Sequence, residues 1–174
     1  MMNLRLPMSL QALPDHSRLW LLALVSLPDL ATGARLRHGL AEILAQWRHK
    51  GQVYQGEGLL LEPQLIAVAE PSLATQPSGC AIDGMLRKVR RLLEQLNLDL
   101  VDPATSILVR DGDRLAAIPK SEIQARLVDG ALTGDTPVLD LSLYNLGDLR
   151  AGRLEAPLAS TWVGRKFGIA VGTT

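Results

Sequence analysis

The sequence predicts an α+β fold with a ferredoxin-like core, in which a βαββαβ chain forms an antiparallel sheet with two helices on one face. Three observations lead to this prediction. Apolar runs typical of strands and two stretches of helical periodicity follow one another in that order over residues 19–110. The second and third strands are joined by a tight turn, which requires antiparallel pairing. The length of 174 residues allows one sizeable core with a small extension.

The first strand and the first helix are predicted from two different patterns. Residues 19–27 form a continuous apolar run that ends before Pro28, as a central buried strand does. A bilayer requires roughly 20 apolar residues, so this run predicts no membrane segment. Residues 31–33 are expected to form a loop, and the apolar spacing that follows predicts an amphipathic helix over 35–49.

A hairpin and a second helix continue the core. Residues 54–61 and 65–69 are predicted to be strands, because the Glu-Pro-Gln sequence between them supplies a turn. After a segment rich in Pro, Ser and Gly, apolar residues at spacings of three and one predict a helix over 82–96.

The remaining elements are a second hairpin, a short helix and a strand. The Asp-Gly pair at 111–112 favours a tight hairpin turn. Ser121 and Gln124 have capping-box spacing, and Gly130 can end a helix in a left-handed conformation. These signals predict strands over 107–109 and 115–118, a helix over 121–129 and a strand over 138–143.

The chain is therefore expected to form a single domain with two parts. Residues 1–118 make the ferredoxin-like core, and residues 119–174 make a hairpin and short-helix extension that packs on it. Trp20, Trp47 and Trp162 are interpreted as core anchors, because an aromatic-poor chain uses its few large rings for packing.

Charge and cysteine content exclude several classes of protein. Eighteen Lys and Arg balance eighteen Asp and Glu, so no net field attracts the chain to nucleic acid or to an anionic membrane. The basic residues at 87–91 lack neighbouring stacking aromatics, which favours a solvated helix face over a nucleic-acid patch. Cys80 is the one cysteine, and a lone thiol fits a reducing compartment, so we expect a cytoplasmic protein.

Motifs for common enzymes and cofactors are missing from the sequence. It contains no Gly-Lys pair, no Gly-x-Gly-x-x-Gly and no Gly-x-Ser-x-Gly, which excludes a phosphate-binding loop, a dinucleotide site and a nucleophile elbow. His38, Glu42 and His49 share one helix stripe, but eleven residues of helix separate the two histidines by roughly 16 Å. We therefore expect no metal ion and no cofactor.

The most distinctive segment is Gly-Cys-Ala-Ile-Asp-Gly at residues 79–84, where a loop enters the second helix. The helix N-terminus favours a thiolate at Cys80, whereas the charge of Asp83 opposes it. Gly79, Cys80 and Asp83 are therefore the candidate binding residues. In an enzyme, Cys80 would be the nucleophile, His49 the base and Asp83 an orienting or capping group. The structural alternative is a buried Cys80 that only packs.

Several short segments together resemble a family of small bacterial proteins. The resemblance extends from Ser17-Arg18-Leu19-Trp20 to Trp162, and its most specific part is the Gly-Cys-Ser/Ala-Ile-Asp motif. Members are often labelled "ABC transporter ATPase", which the missing nucleotide-binding loop contradicts here. The family has no established activity, so the resemblance implies a motif and no reaction. The segments that carry it are Gln46-Trp47-Arg48-His49, Gly56-Glu57-Gly58 and Ser78-Gly79-Cys80-Ala81-Ile82-Asp83.

A second resemblance covers residues 127–138. Asp129-Gly130-Ala131-Leu132-Thr133 and Asp135-Thr136-Pro137-Val138 are similar to part of a GYF-type module, although the Gly-Tyr-Phe signature and the usual tryptophan after the strand are missing. This resemblance implies peptide binding.

The leading hypothesis is a non-catalytic cytoplasmic protein that binds a partner protein or a small molecule where Cys80 and Asp83 begin the second helix. The first alternative is a thiol-dependent enzyme or redox sensor that uses Cys80. The second is a structural homo-oligomer, because a ferredoxin-like sheet exposes one face that other subunits can cover. The C-terminal extension is expected to compete for that face.

Overall fold

The computed structural model describes residues 8–49, 52–53, 56–70 and 79–169. Helices and antiparallel strands are mixed in these residues, which confirms the α+β class. The helices are α1 (Met8–Gln11), α2 (Leu30–Ala45), α3 (Gly79–Gln95), α4 (Ile123–Val128), α5 (Leu146–Arg150) and α6 (Trp162–Phe167). The strands are β1 (Leu19–Ala23), β2 (Arg48–His49), β3 (Gln52–Val53), β4 (Glu57–Glu62), β5 (Leu65–Ala69), β6 (Ser106–Asp111), β7 (Arg114–Pro119), β8 (Pro137–Leu139) and β9 (Glu155–Pro157).

The first sheet has the order β1-β5-β4, and its neighbouring strands are antiparallel. Helices α2 and α3 cover one face of this sheet. Because the opposite face is covered as well, all five residues of β5 are buried, and the strand predicted over 65–69 is confirmed. The apolar cluster beneath the helices includes Leu36, Leu40, Leu44, Ile66, Val68, Met85, Val89 and Leu93.

The second sheet has the order β7-β6-β8-β9 and is also antiparallel. The predicted hairpin of β6 and β7 is confirmed, and Gly112 has a φ of 59° in its turn. Side chains alternate along the strands, so one face meets the first sheet and the other meets α4 and α6. Leu108, Leu115 and Leu139 join the cluster between the sheets, and Ile107, Val109 and Ile118 join the cluster beneath α4 and α6.

The ferredoxin-like strand order is not confirmed. A fourth strand would lie beside β1, where the described residues form the single antiparallel bridge between Leu24 and Leu100. The Asp102 carboxylate then accepts a hydrogen bond from the Ala104 amide at 2.9 Å, and Pro103 has no amide to donate. The chain therefore turns away from the first sheet, and the next strand, β6, pairs in the second. The predicted boundary between residues 118 and 119 consequently runs through the second sheet.

Three predicted boundaries of the first region are wrong. Helix α2 ends at Ala45, so His49 lies in β2 and not in the helix predicted over 35–49. Helix α2 begins at Leu30, so the loop predicted over residues 31–33 is helical. The reason is an overlooked cap, because the Asp29 carboxylate accepts a hydrogen bond from the Thr32 amide at 2.7 Å. Hydrogen bonds with Thr32 lower the pKa of the Asp29 carboxyl. Strand β1 ends at Ala23, earlier than predicted, whereas part of the strand predicted over 54–61 lies outside the described residues.

In the second region, the structure differs from the prediction at the start of α4 and at the end of β8, and it confirms the conformation of Gly130. Ser121 does not cap α4, which begins at Ile123 after a Glu122 N-cap with no side-chain hydrogen bond. Gly130 has a φ of 79° after that helix, as predicted for a left-handed residue. Strand β8 ends at Leu139, because the Asp140 carboxylate accepts a hydrogen bond from the Ser142 amide at 2.8 Å and bends the chain.

The two sheets are joined by the buried side chain of Gln64, which is 4% exposed. Its Oε1 accepts a hydrogen bond from the Leu115 amide at 3.0 Å, and its Nε2 donates to the Leu115 carbonyl at 3.0 Å. Nε2 also donates a hydrogen bond to the Leu24 carbonyl at 3.3 Å. This side chain satisfies backbone groups of both sheets, as a neighbouring strand would.

Arg110 makes a second connection between the sheets. Its guanidinium donates to Glu62 of β4 at 3.1 Å and to Glu155 of β9 at 2.7 Å. Burial lowers the pKa of Arg110, but the hydrogen bonds with Glu155 and Glu62 outweigh burial, so the net shift is upward. Arg110 therefore remains a cation between two carboxylates.

Candidate functional site

Cys80 lies in the first turn of α3 and is exposed. The sequence therefore placed the thiol correctly at a helix start, but the interpretation of Cys80 as a buried packing residue is wrong. Gly79 and Asp83 are also exposed. The Asp83 carboxylate accepts no hydrogen bond from any described residue. The side chain of His49 lies outside the described residues, so its predicted role as a base beside Cys80 stays a prediction.

The segments that carry the family resemblance meet at one end of the first sheet. The Trp47 indole Nε1–H donates to the Ala81 carbonyl in the first turn of α3 at 3.0 Å. The Trp20 and Trp47 rings are 6.0 Å apart in an edge-to-face arrangement at 73°. The Arg18 guanidinium lies 5.6 Å from the centre of the Trp20 ring. A continuous series of contacts thus connects the start of β1 with the helix that carries Cys80.

Two glycines of the Gly-Glu-Gly segment at residues 56–58 lie close to neighbouring side chains. A Cβ at Gly56 would lie 2.8 Å from the Trp47 ring, and a Cβ at Gly58 would lie 2.2 Å from Leu44 Cδ1. Both glycines therefore let β4 approach the residues of α2 and the chain after it. This gives the Gly-Glu-Gly sequence a packing role.

Sequence analysis missed the buried carboxylate of Glu70 at this end of the sheet. Glu70 follows β5 and is 2% exposed, and its Oε1 forms an ion pair with Arg18. Within the described residues, Glu70 Oε2 and the buried Ser17 Oγ have no hydrogen-bond partner. A single acidic residue after a strand normally predicts a surface position. Its burial is decided by Arg18, which the sequence places fifty-two positions away.

The His38 and Glu42 side chains on α2 form an exposed pair. His38 Nε2 lies 3.5 Å from Glu42 Oε1, as their spacing of four residues predicts. In the part of the chain that the structure describes, no group of three His, Cys, Asp or Glu side chains is arranged to hold a metal ion. The basic residues Arg87, Lys88, Arg90 and Arg91 are exposed on α3, as predicted.

The second sheet contains a cleft of about 510 Å³ that sequence analysis did not find. Strands β6 and β8 pair only through Leu108 with Leu139 and Val109 with Val138. Beyond these pairs the two strands form no further ladder, and Trp162, Val163 and Arg165 of α6 line the cleft beside them. The floor is mainly apolar and includes Val101, Ile107, Leu108, Val138, Leu139, Leu141, Ala156 and Val163.

Trp162 lies at the mouth of this cleft with half of its surface exposed. The interpretation of Trp162 as a core anchor is therefore wrong, whereas Trp47 is buried as predicted. The Lys120 ammonium lies 4.8 Å from the centre of the Trp162 ring. The same ammonium donates to the carbonyls of Pro103 and Ala104, each at 2.8 Å. Three contacts thus fix Lys120 beside the indole.

The charged side chains of the cleft differ in how they are paired. Arg153 forms an ion pair with Asp148 at 2.7 Å. Arg165 donates to the Ser160 carbonyl at 3.3 Å, and no described carboxylate pairs with Arg165 or Lys120. The cleft therefore has a cationic end beside Trp162.

The segment that resembles a GYF-type module lies next to this cleft. Its residues end α4, form the following turn and enter β8, whose Val138 lines the cleft. Asp129 accepts a hydrogen bond from the Ala131 amide at 2.9 Å, and the Thr133 amide donates to Thr136 Oγ1 at 2.9 Å. These bonds explain the local sequence, and peptide binding stays a prediction.

Comparisons of this chain with protein-family models, with curated proteins and with solved structures found no match. The resemblances to the small bacterial family and to the GYF-type module therefore stay predictions. Across the described helices, none has both the length and the apolar character needed to cross a bilayer.

Proposed function

We propose that this protein is a non-catalytic binding module and that the cleft beside Trp162 receives its ligand. The observation that carries the proposal is a half-exposed tryptophan, fixed by Lys120, at the mouth of a cleft with an apolar floor. Ligand sites commonly combine an apolar lining with a few placed polar groups, in cavities of about 300–1,000 Å³.

Pre-organisation supports this proposal. The Thr161 side chain caps α6 by accepting a hydrogen bond from the Gly164 amide at 3.2 Å, which holds the first turn that carries Trp162. Lys120 is fixed by two carbonyls and by the indole ring. A rigid aromatic side chain loses little entropy when it binds, so Trp is frequent among residues that dominate binding energy.

The chemistry of the cleft favours binding over catalysis. Among the described residues that line it there is no histidine and no cysteine. Three of its hydroxyl groups donate to nearby acceptors, with Ser142 bonded to Asp140, Ser160 to the Pro157 carbonyl and Thr161 to the Leu158 carbonyl.

One observation favours the thiol-dependent alternative as a second candidate. Cys80 is exposed at the start of α3, so a thiol reagent or an oxidant can reach it. Under this alternative Cys80 remains the nucleophile, with His49 as base and Asp83 as orienting group. The contact of Trp47 with Ala81 would then hold the thiol-bearing turn in place.

The homo-oligomer alternative would need a surface other than the one first expected. It relied on an open face of the first sheet, and that face packs against Leu108, Leu115 and Leu139 of the same chain.

We propose that the ferredoxin-like fold applies only to the βαββα part of the chain that forms the first sheet. Leu100 lies where the fourth strand of that fold would be. The cytoplasmic location rests on the lone thiol and stays a prediction.

The binding proposal is tested by the NMR signals of the tryptophan indole N–H groups. The probe is a mixture of random-sequence peptides of about eight residues at about 1 mM, a concentration that detects weak binding. We expect the Trp162 signal, assigned with Trp162→Phe, to shift during the titration. The Trp47 signal is the internal control, because its N–H is already bonded to Ala81. No shift at Trp162, or equal shifts of both signals, would contradict the proposal.

A further inference from the structure

We infer that the ligand of the cleft is an extended acidic peptide segment with apolar side chains beside its carboxylates. This inference rests on the proposed function, since it specifies which ligand the same cleft takes. Its basis is a lining that combines apolar side chains with two cations, Lys120 and Arg165.

The cationic end consists of Lys120 and Arg165, which line the cleft together with Trp162. Trp162 and Arg165 are three residues apart on α6, so their side chains lie on the same side of the helix. Lys120 is bonded to two neutral carbonyls, and Arg165 to one, so neither charge is neutralised by a described carboxylate. Ligand carboxylates in this cleft would therefore find two cations that are free to pair with them.

The other charges of the cleft do not cancel this preference. Arg153 is already paired with Asp148. Asp140 is the one acidic residue among the described residues of the lining, and its carboxylate accepts hydrogen bonds from the Ser142 amide and hydroxyl. Asp140 is bonded only to neutral donors, so Lys120, Arg165 and Asp140 together leave the lining with a net charge of +1. This balance favours an anion.

The apolar floor explains why we infer a peptide rather than a small acid. Val101, Ile107 and Leu141 line the cleft together with the charged end, so one ligand must present apolar and anionic groups at separate points. An extended peptide does so, because each residue rises about 3.3 Å and neighbouring side chains point in opposite directions.

The test uses fluorescence polarisation with the full chain and three labelled peptides of about eight residues, in which Leu alternates with Glu, Gln or Lys. We expect the Glu peptide to bind more tightly than the Gln peptide, by about fivefold for each carboxylate that pairs with a cation. The Lys peptide should bind most weakly. Raising salt from about 0.05 M to about 0.5 M should reduce this advantage, because screening weakens exposed charge pairs.

Two variants assign the preference to the cationic end. Lys120→Gln and Arg165→Gln should each lower the affinity for the Glu peptide and leave the affinity for the Gln peptide nearly unchanged. Lys88→Gln is the matched control, because Lys88 is an exposed cation on α3 outside the cleft. Because Lys120 also bonds to two carbonyls, Arg165→Gln decides the test if Lys120→Gln disturbs folding.

Each opposing result has a definite meaning. Equal affinities for the Glu and Gln peptides, with loss of both in Trp162→Ala, would overturn this inference and leave the proposed binding function intact. Binding of N-acetylglutamate as tightly as the Glu peptide would overturn the peptide assignment in favour of a small acid. If no peptide binds, the inference fails, and the Trp162 NMR titration decides separately whether the proposed function also fails.

Discussion

The two sheets of this protein differ in how completely their surfaces are used for packing. The middle strand of the first sheet is buried along its whole length, and glycines let its neighbours approach closely. In the second sheet, β6 and β8 share two residue pairs and then separate beside a half-exposed tryptophan. The comparison shows that the first sheet is covered along its middle strand, whereas the second sheet leaves a cleft lined by Trp162.

The largest expected effect comes from a glycine in the second region. A Cβ at Gly164 would lie 2.3 Å from the Leu158 carbonyl oxygen and 2.6 Å from Ala159 Cα, which are backbone atoms that cannot rotate away. Gly164→Ala should therefore lower the free energy of unfolding by about 3 kcal/mol. Urea denaturation followed by circular dichroism measures this change.

Gly84→Ala is the matched control for that substitution. Gly84 lies within α3, and nothing lies within 4 Å of a Cβ built there. The alanine should raise the free energy of unfolding by roughly 0.5–1 kcal/mol, because it removes the entropic cost of a helical glycine. Equal changes in the free energy of unfolding for Gly164→Ala and Gly84→Ala would contradict the close packing of α6 against residues 158–159.

The next effect concerns the connection between the two sheets. Gln64→Leu removes the amide that bonds to both backbone groups of Leu115 and leaves them buried without a partner. We expect a loss of about 2 kcal/mol in the free energy of unfolding. Gln95→Leu, at an exposed position of α3, is the control and should change stability little. An unaffected Gln64→Leu variant would mean that the sheets do not depend on this contact.

A smaller, pH-dependent effect is expected at the N-cap of α2. The Asp29 carboxyl has a lowered pKa in the folded chain, so its stabilising effect is complete above its unfolded pKa and is lost as pH falls through the folded value. Thermal unfolding measured between about pH 5 and about pH 2 should show this loss in the native chain. Asp29→Asn keeps the capping oxygen without its ionisation and should lack that part of the pH dependence. If the thermal stability of the native chain and of Asp29→Asn changed identically with pH, the ionised Asp29 cap would be contradicted.

The smallest effect on stability is expected at Cys80. Because the residue is exposed, Cys80→Ser should change the free energy of unfolding by less than about 0.5 kcal/mol. The native thiol should also react with a small disulfide reagent without prior unfolding. Protection of the thiol until the protein unfolds would contradict its exposed position and with it the thiol-dependent alternative. A native rate well above that of the unfolded chain would instead favour that alternative over simple exposure.

Local patterns in the sequence were sufficient for many individual elements. The apolar run at 65–69, the stripe of α3 and the Asp-Gly turn between β6 and β7 each predicted an element that the structure confirms. The position of Cys80 at a helix start was predicted in the same way. Each of these depends on residues that are neighbours in the chain, so periodicity and turn chemistry are enough.

Contacts between distant residues decided the rest. The apolar run at 107–109 beside the Asp-Gly turn predicts β6 as a strand, but it does not determine that Leu108 pairs with Leu139 in a second sheet rather than completing the first. In the same way, Glu70 is buried because Arg18 meets it, and Lys120 is fixed because Trp162 and two carbonyls of a separate loop surround it. The sequence by itself thus determined the α+β class and most of its elements. The second sheet and its cleft were decided only by the tertiary structure, because their energies come from partners that no local pattern identifies.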